Sequence, residues 1–462
     1  MRALVDRFLA ALARLVLRGF FRDIEIVGRD RLPRDRPVLV VANHFNALVD
    51  AVLVVHAVGK MPRFIAKAAL WRRVWARPFL WLAGLVPVQR AQDEGDLSRN
   101  RSAFATCHEL LARGKTVALF PEGAVSSVPT LAPVRTGAAR IALGASNEGA
   151  EGLAIVPVGL MYEDKVALRS RALVRIGDPI ELDAELGQFV ASDESADESN
   201  QRAVRRLTRE IARRMRAVAP DYADTREAAV LGRAAEIALR EHGRVPPPDV
   251  PLTSREGLAQ RLAFAPESAR RRLLDTLARY QLDLSLLGLR DAYLVSGYRA
   301  GRLARLLVST ALRLAIVAPF ALVGAAINAI RYWGVHWAGR VVRNPMLKAT
   351  SRMLAGLVLF PAMWLIVAWL APWDAWWQRL GVVTAAPVLG LLAVWALERA
   401  VAAHRSWRGW ITLTERTDAL RQVRADRDEV VALVEETEAL AEVPDAPRPQ
   451  DDPVQEPEAG GR

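Results

Sequence analysis

Apolar residues run along this chain in three textures. In the opening stretch, MRALVDRFLAALARLVLRGFF, Leu4, Val5, Phe8, Leu9, Leu12, Leu15 and Val16 recur at helical spacing, while Arg2, Arg7, Arg14 and Arg18 interrupt them. The spacing predicts an amphipathic helix over 1–22, lying on a membrane surface or packed on its own domain. The arginines leave no uncharged core of the length a signal peptide needs.

From residue 23 the texture changes to short apolar runs between turn formers. IEIVG (24–28), PVLVVANH (37–44), TVALFPEG (116–123) and LAIVPVGLMY (153–162) read as strands, and VRIGDPIEL (174–182) extends the series. Between them 50–60, 66–83, 99–114 and 134–146 carry helical spacing. Strands apolar throughout and alternating with helices predict an α/β domain, a mainly parallel sheet flanked by helices on both faces. The acidic, serine-rich ASDESADESN (191–200) reads as a loop before an Arg-rich helix near 201–217, so this unit is expected to close near residue 225. A helical connector, broken at RVPPPDVP, fills 226–300.

The third texture is continuous. Residues 314–330, 354–373 and 380–397 hold no charged residue, and the latter two are long enough to span about 30 Å of hydrocarbon. Arg331, Arg340, Arg343, Lys348 and Arg352 crowd the link between the first two stretches, whereas the second link is short and near neutral. The positive-inside rule places the basic link in the cytoplasm, which predicts a membrane region over 301–400. Residues 354–397 then form a spanning hairpin, with 314–330 dipping in and returning or lying in the interface. Trp333, Trp337, Trp373, Trp376, Trp377 and Trp395 stand at or near the stretch ends, as interfacial anchors do. A charged helix over 401–441 and a disordered, acidic, Pro-rich tail over 442–462 complete the chain, and no internal repeat is present.

Composition narrows the function. The net charge is +12 and the cations are almost all arginine, lysine occurring only at 60, 67, 115, 165 and 348. Such a balance suits nucleic acid, an anionic membrane surface or a phosphorylated substrate. Zinc-finger, RNP-like and helix-turn-helix patterns are missing and the arginines are scattered among apolar residues, so nucleic acid is not expected as a partner. The single cysteine, Cys107, excludes an intramolecular disulfide and reads as core. The remaining histidines lack partners at ligand spacing, so no metal is expected.

Chemistry concentrates where a strand ends. His44 follows VLVVAN, and Asp50 lies close enough in sequence to bond one ring nitrogen if the segment turns. A carboxylate so placed fixes the imidazole tautomer and leaves the other nitrogen to take a proton. Further along stand Arg90 in GLVPVQR, Glu122 and Gly123 in LFPEG, and Pro157 in IVPVGL.

These segments, in this order, resemble the glycerolipid acyltransferase family over roughly residues 20–185. The matching blocks are Asn43, His44 and Asp50; Arg90; Phe120, Pro121, Glu122 and Gly123; and Pro157. Five residues separate His44 from Asp50, where the family's commonest block has four, which is similar to the glycerol-3-phosphate and dihydroxyacetone-phosphate acyltransferase subgroup. The extra residue needs a different turn, held by Asn46. The resemblance implies an acyltransferase domain over 23–225 in which His44, oriented by Asp50, deprotonates a hydroxyl attacking an acyl thioester. It implies substrate contacts by Asn43, Asn46, Phe120, Pro121, Glu122 and Gly123, with Arg90, joined by Arg135, at the phosphate.

Expected partners are an acyl-CoA or acyl-carrier-protein thioester as co-substrate, a phosphorylated glycerol or lysophospholipid acceptor, and the lipid bilayer; no cofactor is expected. The localisation that follows is an integral protein of a bacterial inner membrane with the catalytic domain cytoplasmic. Two alternatives stay open: another lipid acceptor such as a lyso-aminolipid, and an inactive lipid-binding homologue. A hydrolase using the same pair lacks a G-x-S-x-G elbow.

Overall fold

The computed structural model describes residues 2–89, 100–245, 248–296, 299–370, 375–415 and 417–441. The chain divides into two compact units, the first holding Met1–Asp224 with Pro345–Thr350 and the second Thr225–Asn344 with the helices from Ser351 on.

In the first unit the apolar runs form β1 (Phe21–Val27), β2 (Val38–Ala42), β3 (Arg63–Lys67), β4 (Val86–Val88), β5 (Thr116–Leu119), β6 (Ala154–Tyr162), β7 (Ser170–Ile176) and β8 (Ile180–Glu181). They lie in the order β1-β7-β6-β2-β5-β3-β4, with β8 beside β6. The pairings are parallel except those of β6 with β7 and β8. Strand β2 is buried along its whole length and sits between β5 and β6, so Val41 faces Leu119 on one side and Pro157 on the other. Burial on both faces is what a continuous VLVVA run requires.

Helices α1 (Arg2–Phe20), α2 (Leu48–Val58), α3 (Arg77–Ala83), α4 (Asn100–Ala112), α5 (Gly137–Asn147), α6 (Leu182–Phe189) and α7 (Gln201–Arg216) surround the sheet. Cys107 and Leu111 of α4, Ile141 of α5 and Leu207 and Ile211 of α7 share one core with Leu39, Val41, Val117 and Ile155 of the strands. Burial there pushes the Cys107 thiol up to about 12, which keeps it un-ionised and inert. The acidic loop ends in Asn200, whose side chain caps α7 by accepting from the N–H groups of Arg202 and Ala203.

Helix α1 does both things its pattern allows. Ala10, Ala13, Leu17 and Phe20 are buried against the unit, while Leu4, Phe8 and Leu15 are 68%, 62% and 53% exposed. One expected element fails: residues 66–83 are not a helix but the end of β3, two 3-10 turns (Ala68–Arg72 and Val74–Ala76) and the short α3. Phe64 alone of β3 is buried, so this strand lacks the apolar run that marks the others.

The second unit begins with α8 (Thr225–Ala238), α9 (Leu252–Ala263), α10 (Glu267–Leu287) and α11 (Asp291–Val295), and continues with α12 (Ala300–Val341), α13 (Pro345–Leu370), α14 (Trp376–Glu415) and α15 (Thr417–Ala439). Residues 226–300 do more than connect, because α15 packs back on α8, α9 and α10. Asp291 ties this body together: Oδ2 accepts from Arg240 at 2.9 Å, and Oδ1 accepts from Tyr280 and Arg427 at 2.8 Å each. The charged C-terminal segment also differs from expectation, since 401–415 continue α14 and only then does α15 begin.

Among the described residues, three helices are long and apolar enough to cross a membrane: α12, α13 and α14. Residues 314–330, expected to dip in and return or to lie in the interface, are the middle of a 42-residue helix that continues through Pro319. That helix is about 63 Å long at 1.5 Å per residue. Gly324 lets α14 approach at backbone range, since a Cβ there would lie 2.1 Å from the Leu389 carbonyl oxygen. The acidic tail 442–462 lies outside the described residues.

Candidate active site

Parallel pairing of β2 with β5 brings their C-terminal ends together, and the chain leaves one as Asn43-His44 and the other as Phe120-Pro121-Glu122-Gly123. The C-terminal edge is where an open α/β sheet offers its loops to ligands.

His44 Nδ1 lies 2.8 Å from Asp50 Oδ2, and Asp50 is completely buried while the His44 side chain is 17% exposed. An ionised carboxylate only accepts, so this contact puts the ring proton on Nδ1 and directs Nε2 to the substrate side. Asp50 is saturated with donors. The Asn46 N–H reaches the same Oδ2 at 2.6 Å, and the Tyr162 hydroxyl donates to Oδ1. Burial and the Asp50 charge hold the Tyr162 phenol well above its ordinary pKa, so it stays a donor.

The turn between His44 and Asp50 absorbs its long spacing at Ala47, which takes φ 43° and ψ −117° immediately before α2. A non-glycine residue there carries strain of about 1–3 kcal/mol. Asn46 steadies the same turn, its side-chain amide donating to the Lys165 carbonyl at 2.7 Å.

The FPEG segment grips His44 from the other side. Glu122 Oε1 accepts from the His44 N–H at 2.9 Å, and the Ser126 N–H donates to the His44 carbonyl at 2.7 Å. The Phe120 ring stacks on the imidazole with centroids 3.9 Å apart and planes 9° from parallel. Gly123 adopts φ +71°, and a Cβ on it would stand 3.0 Å from the Arg135 guanidinium. Arg135 donates from Nε to the Glu122 carbonyl at 3.2 Å and from its backbone to the Pro121 carbonyl at 2.9 Å. Glu122 is 4% exposed, and burial pushes its carboxyl up to about 8, against the N–H groups of His44 and Ala132 that favour the charge. It is therefore mostly protonated at neutral pH.

Several residues expected at the substrate make hydrogen bonds within the fold. Asn43 is fully buried, with its amide donating to the Leu160 carbonyl at 3.0 Å and accepting from the Leu160 N–H at 2.6 Å. Both ends are committed to joining β2 to β6. Asn46 is 1% exposed and serves the Asp50 turn. Glu122 faces the His44 backbone, Arg135 braces the turn beneath it, and Pro157 sits inside β6 beside Val41. Arg90, expected at the acceptor phosphate, lies outside the described residues.

Two residues at this site were not expected. Tyr162 closes the apolar run of β6, and a tyrosine that ends a buried strand beside the histidine strand was the available signal. Lys165 is one of only five lysines in an Arg-rich chain. Its ammonium, half-buried, donates to the Ser127 carbonyl at 3.2 Å; burial lowers its pKa and the Asp50 charge opposes that. The groups of ≥ 3 His, Cys, Asp or Glu that a metal needs do not occur among the described residues.

Residues 23–161 match the family model described as Acyltransferase. A curated relative, glycerol-3-phosphate O-acyltransferase 2 of Saccharomyces cerevisiae, is 32% identical over 27% of this chain and 16% of its own length. The chloroplastic 1-acyl-sn-glycerol-3-phosphate acyltransferase LPAT1 of Arabidopsis thaliana is 30% identical over 32% of this chain and 38% of its own. The chain thus matches about a sixth of the yeast enzyme and under two fifths of the plant enzyme. Among solved structures, the 1-acyl-sn-glycerophosphate acyltransferase PlsC of Thermotoga maritima aligns with TM-score 0.31 and 21% identity, over 44% of this chain and 79% of that one. The stretch that matches the family model, residues 23–161, contains the sheet edge that carries His44 and Asp50, and over it the chain is similar to glycerolipid acyltransferases.

Proposed function

We propose that this chain is a membrane-bound acyltransferase that moves a fatty acyl group from an acyl-CoA or acyl-carrier-protein thioester to a hydroxyl of glycerol 3-phosphate or a lysophospholipid. The observation that carries this reading is the contact of His44 Nδ1 with the buried, donor-saturated Asp50 at 2.8 Å. His44 Nε2 takes the acceptor's hydroxyl proton as that oxygen attacks the thioester carbonyl carbon. The tetrahedral intermediate expels the thiolate, and the imidazolium returns its proton to the sulfur, leaving an ester and a free thiol. Positioned general-base catalysis of this kind contributes about 10²–10⁴ in rate.

Asp50 stabilises the transient imidazolium across Nδ1, and the stacked Phe120 ring restricts rotation of the imidazole. In this reading Arg90 and Lys165 serve the acceptor phosphate. Guanidinium offers a bidentate fork and the ammonium a point charge. The exposed Leu4, Phe8 and Leu15 of α1 would rest on the membrane, with the arginines of that helix among anionic headgroups. We assign the protein to a cellular membrane with this domain on the cytoplasmic face, a bacterial inner membrane being the simplest home for it.

The test is acyl transfer in membranes carrying the protein, with labelled palmitoyl-CoA and either glycerol 3-phosphate or 1-acylglycerol 3-phosphate. Wild type is expected to acylate one of them, and Lys165→Ala to raise the KM for that acceptor about tenfold, the loss of one phosphate contact. Silence of the wild type with both acceptors, and with an acyl-carrier-protein donor, would remove the reading.

A further inference from the structure

The second unit carries a polar cluster that acyl transfer does not use. Helices α12 and α14 meet closely at Gly324 and at Gly390, where a Cβ would stand 2.9 Å from the Asn328 amide nitrogen. Helix α13 meets α12 through longer side chains, Leu359 against Gly334 and Arg352 against Gly339. In the seam between α12 and α13 lies Arg331, only 2% exposed.

Arg331 donates from Nη1 to Asn328 Oδ1, and its guanidinium carbon stands 6.0 Å from the centre of the Phe360 ring. The same Asn328 oxygen accepts from Trp364 Nε1 at 3.2 Å, while the Asn328 amide donates to the Gly324 carbonyl at 2.8 Å. Asparagine is thereby used up. Arg331 Nε and Nη2, both buried, have no hydrogen-bond partner among the described residues. A guanidinium cannot shed its charge, so burial with open donors calls for an anion.

The surrounding helices do not supply one. Neither α12 nor α13 contains an aspartate or glutamate, and α14 has Glu398 and Glu415 alone. Ala386, whose carbonyl faces Asn328, marks the level of the cluster on α14. Glu398 stands about 18 Å further along that axis at 1.5 Å per residue.

The setting favours an amphiphile over a free anion. Tyr332, Trp333 and Trp337, next along α12, are 55%, 66% and 67% exposed, as in an interfacial aromatic belt. Arg340, Arg343 and Lys348 follow beyond it. A basic seam between apolar helices just inside such a belt is how lipid headgroups are held. We propose that Arg331, with Asn328 and Trp364, forms a headgroup-phosphate site for an anionic phospholipid in the seam between α12 and α13. Its acyl chains lie along the outward-facing apolar side chains, and the Phe360 ring swings aside to admit the phosphate.

The test reads lipid binding, so its outcome is separate from that of the acyl-transfer assay. Full-length protein in a non-ionic detergent is washed free of lipid and melted with phosphatidylglycerol, phosphatidylcholine or inorganic phosphate, and bound lipid is counted by native mass spectrometry. Phosphatidylglycerol is expected to raise the wild-type Tm and to be retained about tenfold better than by Arg331→Gln, as loss of a charge-assisted phosphate contact implies. Arg331→Lys should fall between, and neither phosphatidylcholine nor inorganic phosphate should shift the Tm. Equal retention by wild type and Arg331→Gln overturns the proposal, as does an equal shift with phosphatidylcholine or with inorganic phosphate. Should Arg331→Gln fail to fold, the wild-type comparison of the three additives decides alone.

Discussion

Asp50 in the first unit and Arg331 in the second are both charged groups taken out of water, and they are treated in opposite ways. Asp50 accepts from His44, Asn46 and Tyr162, so each of its oxygens is served from within the fold. Among the described residues, Arg331 has one protein oxygen and two open donors. A carboxylate at the end of a central strand can draw on backbone N–H groups and neighbouring loops, whereas the flanks of a helix in an apolar bundle have their backbone groups already paired. Each unit is thus complete to a different degree: the first closes its own charge at Asp50, and the helical unit leaves donors of Arg331 open among the described residues.

The strongest way to break the contrast is to remove what Asp50 serves. His44→Ala is expected to lower acyl transfer about 10³-fold, and Asp50→Asn by at least about 10²-fold because the amide presents the imidazole with the wrong tautomer. Initial rates in membranes check both, with detergent-extracted yield confirming that the variants still fold. An active Asp50→Asn enzyme would make the buried pair architectural.

A second test concerns the neighbouring carboxyl. Glu122 keeps its proton up to about pH 8 in the fold but loses it near 4.5 when unfolded. The folded state therefore binds the extra proton between those values, and stability falls as pH rises through that window, on the order of 5 kcal/mol in all. Melting wild type beside Glu122→Gln at pH 5 and pH 8 isolates this contribution. The wild type should lose more stability than the variant, and parallel losses would mean that Glu122 ionises normally.

Tyr162→Phe sharpens the comparison by stripping Asp50 of one donor, so that it moves toward the condition of Arg331. We expect kcat to drop about tenfold with the acceptor KM unchanged, since one charge-assisted hydrogen bond is worth about 1.5 kcal/mol or more. A change confined to KM would place Tyr162 at the substrate instead. The smallest effect is expected at Ala47, where glycine tolerates the positive φ. Ala47→Gly should stabilise the protein by about 1 kcal/mol in thermal melts, relief of strain outweighing the added entropy of the unfolded chain. Destabilisation would show that the turn is relaxed.

Much of the architecture was readable one residue type at a time. VLVVA and LAIVPVGLMY are apolar at successive positions, and only a doubly covered strand buries both faces, so the sheet core could be read directly. Strand β3 could not, because RFIAK buries one residue and has no period of its own. The long α12 was obscured because its uncharged stretch is short and carries Pro319, Gly324 and Asn328. Packing against α14 reverses that: Gly324 becomes the point of contact and Asn328 lies against Gly390.

The site divides along the same line. His44, Asp50 and the FPEG segment were legible because strand-end placement and the spacing of their blocks are properties of the sequence. The fold contacts of Asn43, Asn46 and Glu122 were not, since they depend on what stands opposite each side chain, here Leu160, Lys165 and the His44 N–H. Tyr162 is more than a hundred residues from Asp50 and enters only through the pairing of β6 with β2. By itself, then, the sequence determined the α/β class, the apolar helices and the identity of the His-Asp pair, because periodicity, hydropathy and local spacing are carried by neighbouring residues. Tertiary structure alone decided which polar groups face one another, because hydrogen-bond partners and burial are set by strand order and helix contact between distant parts of the chain.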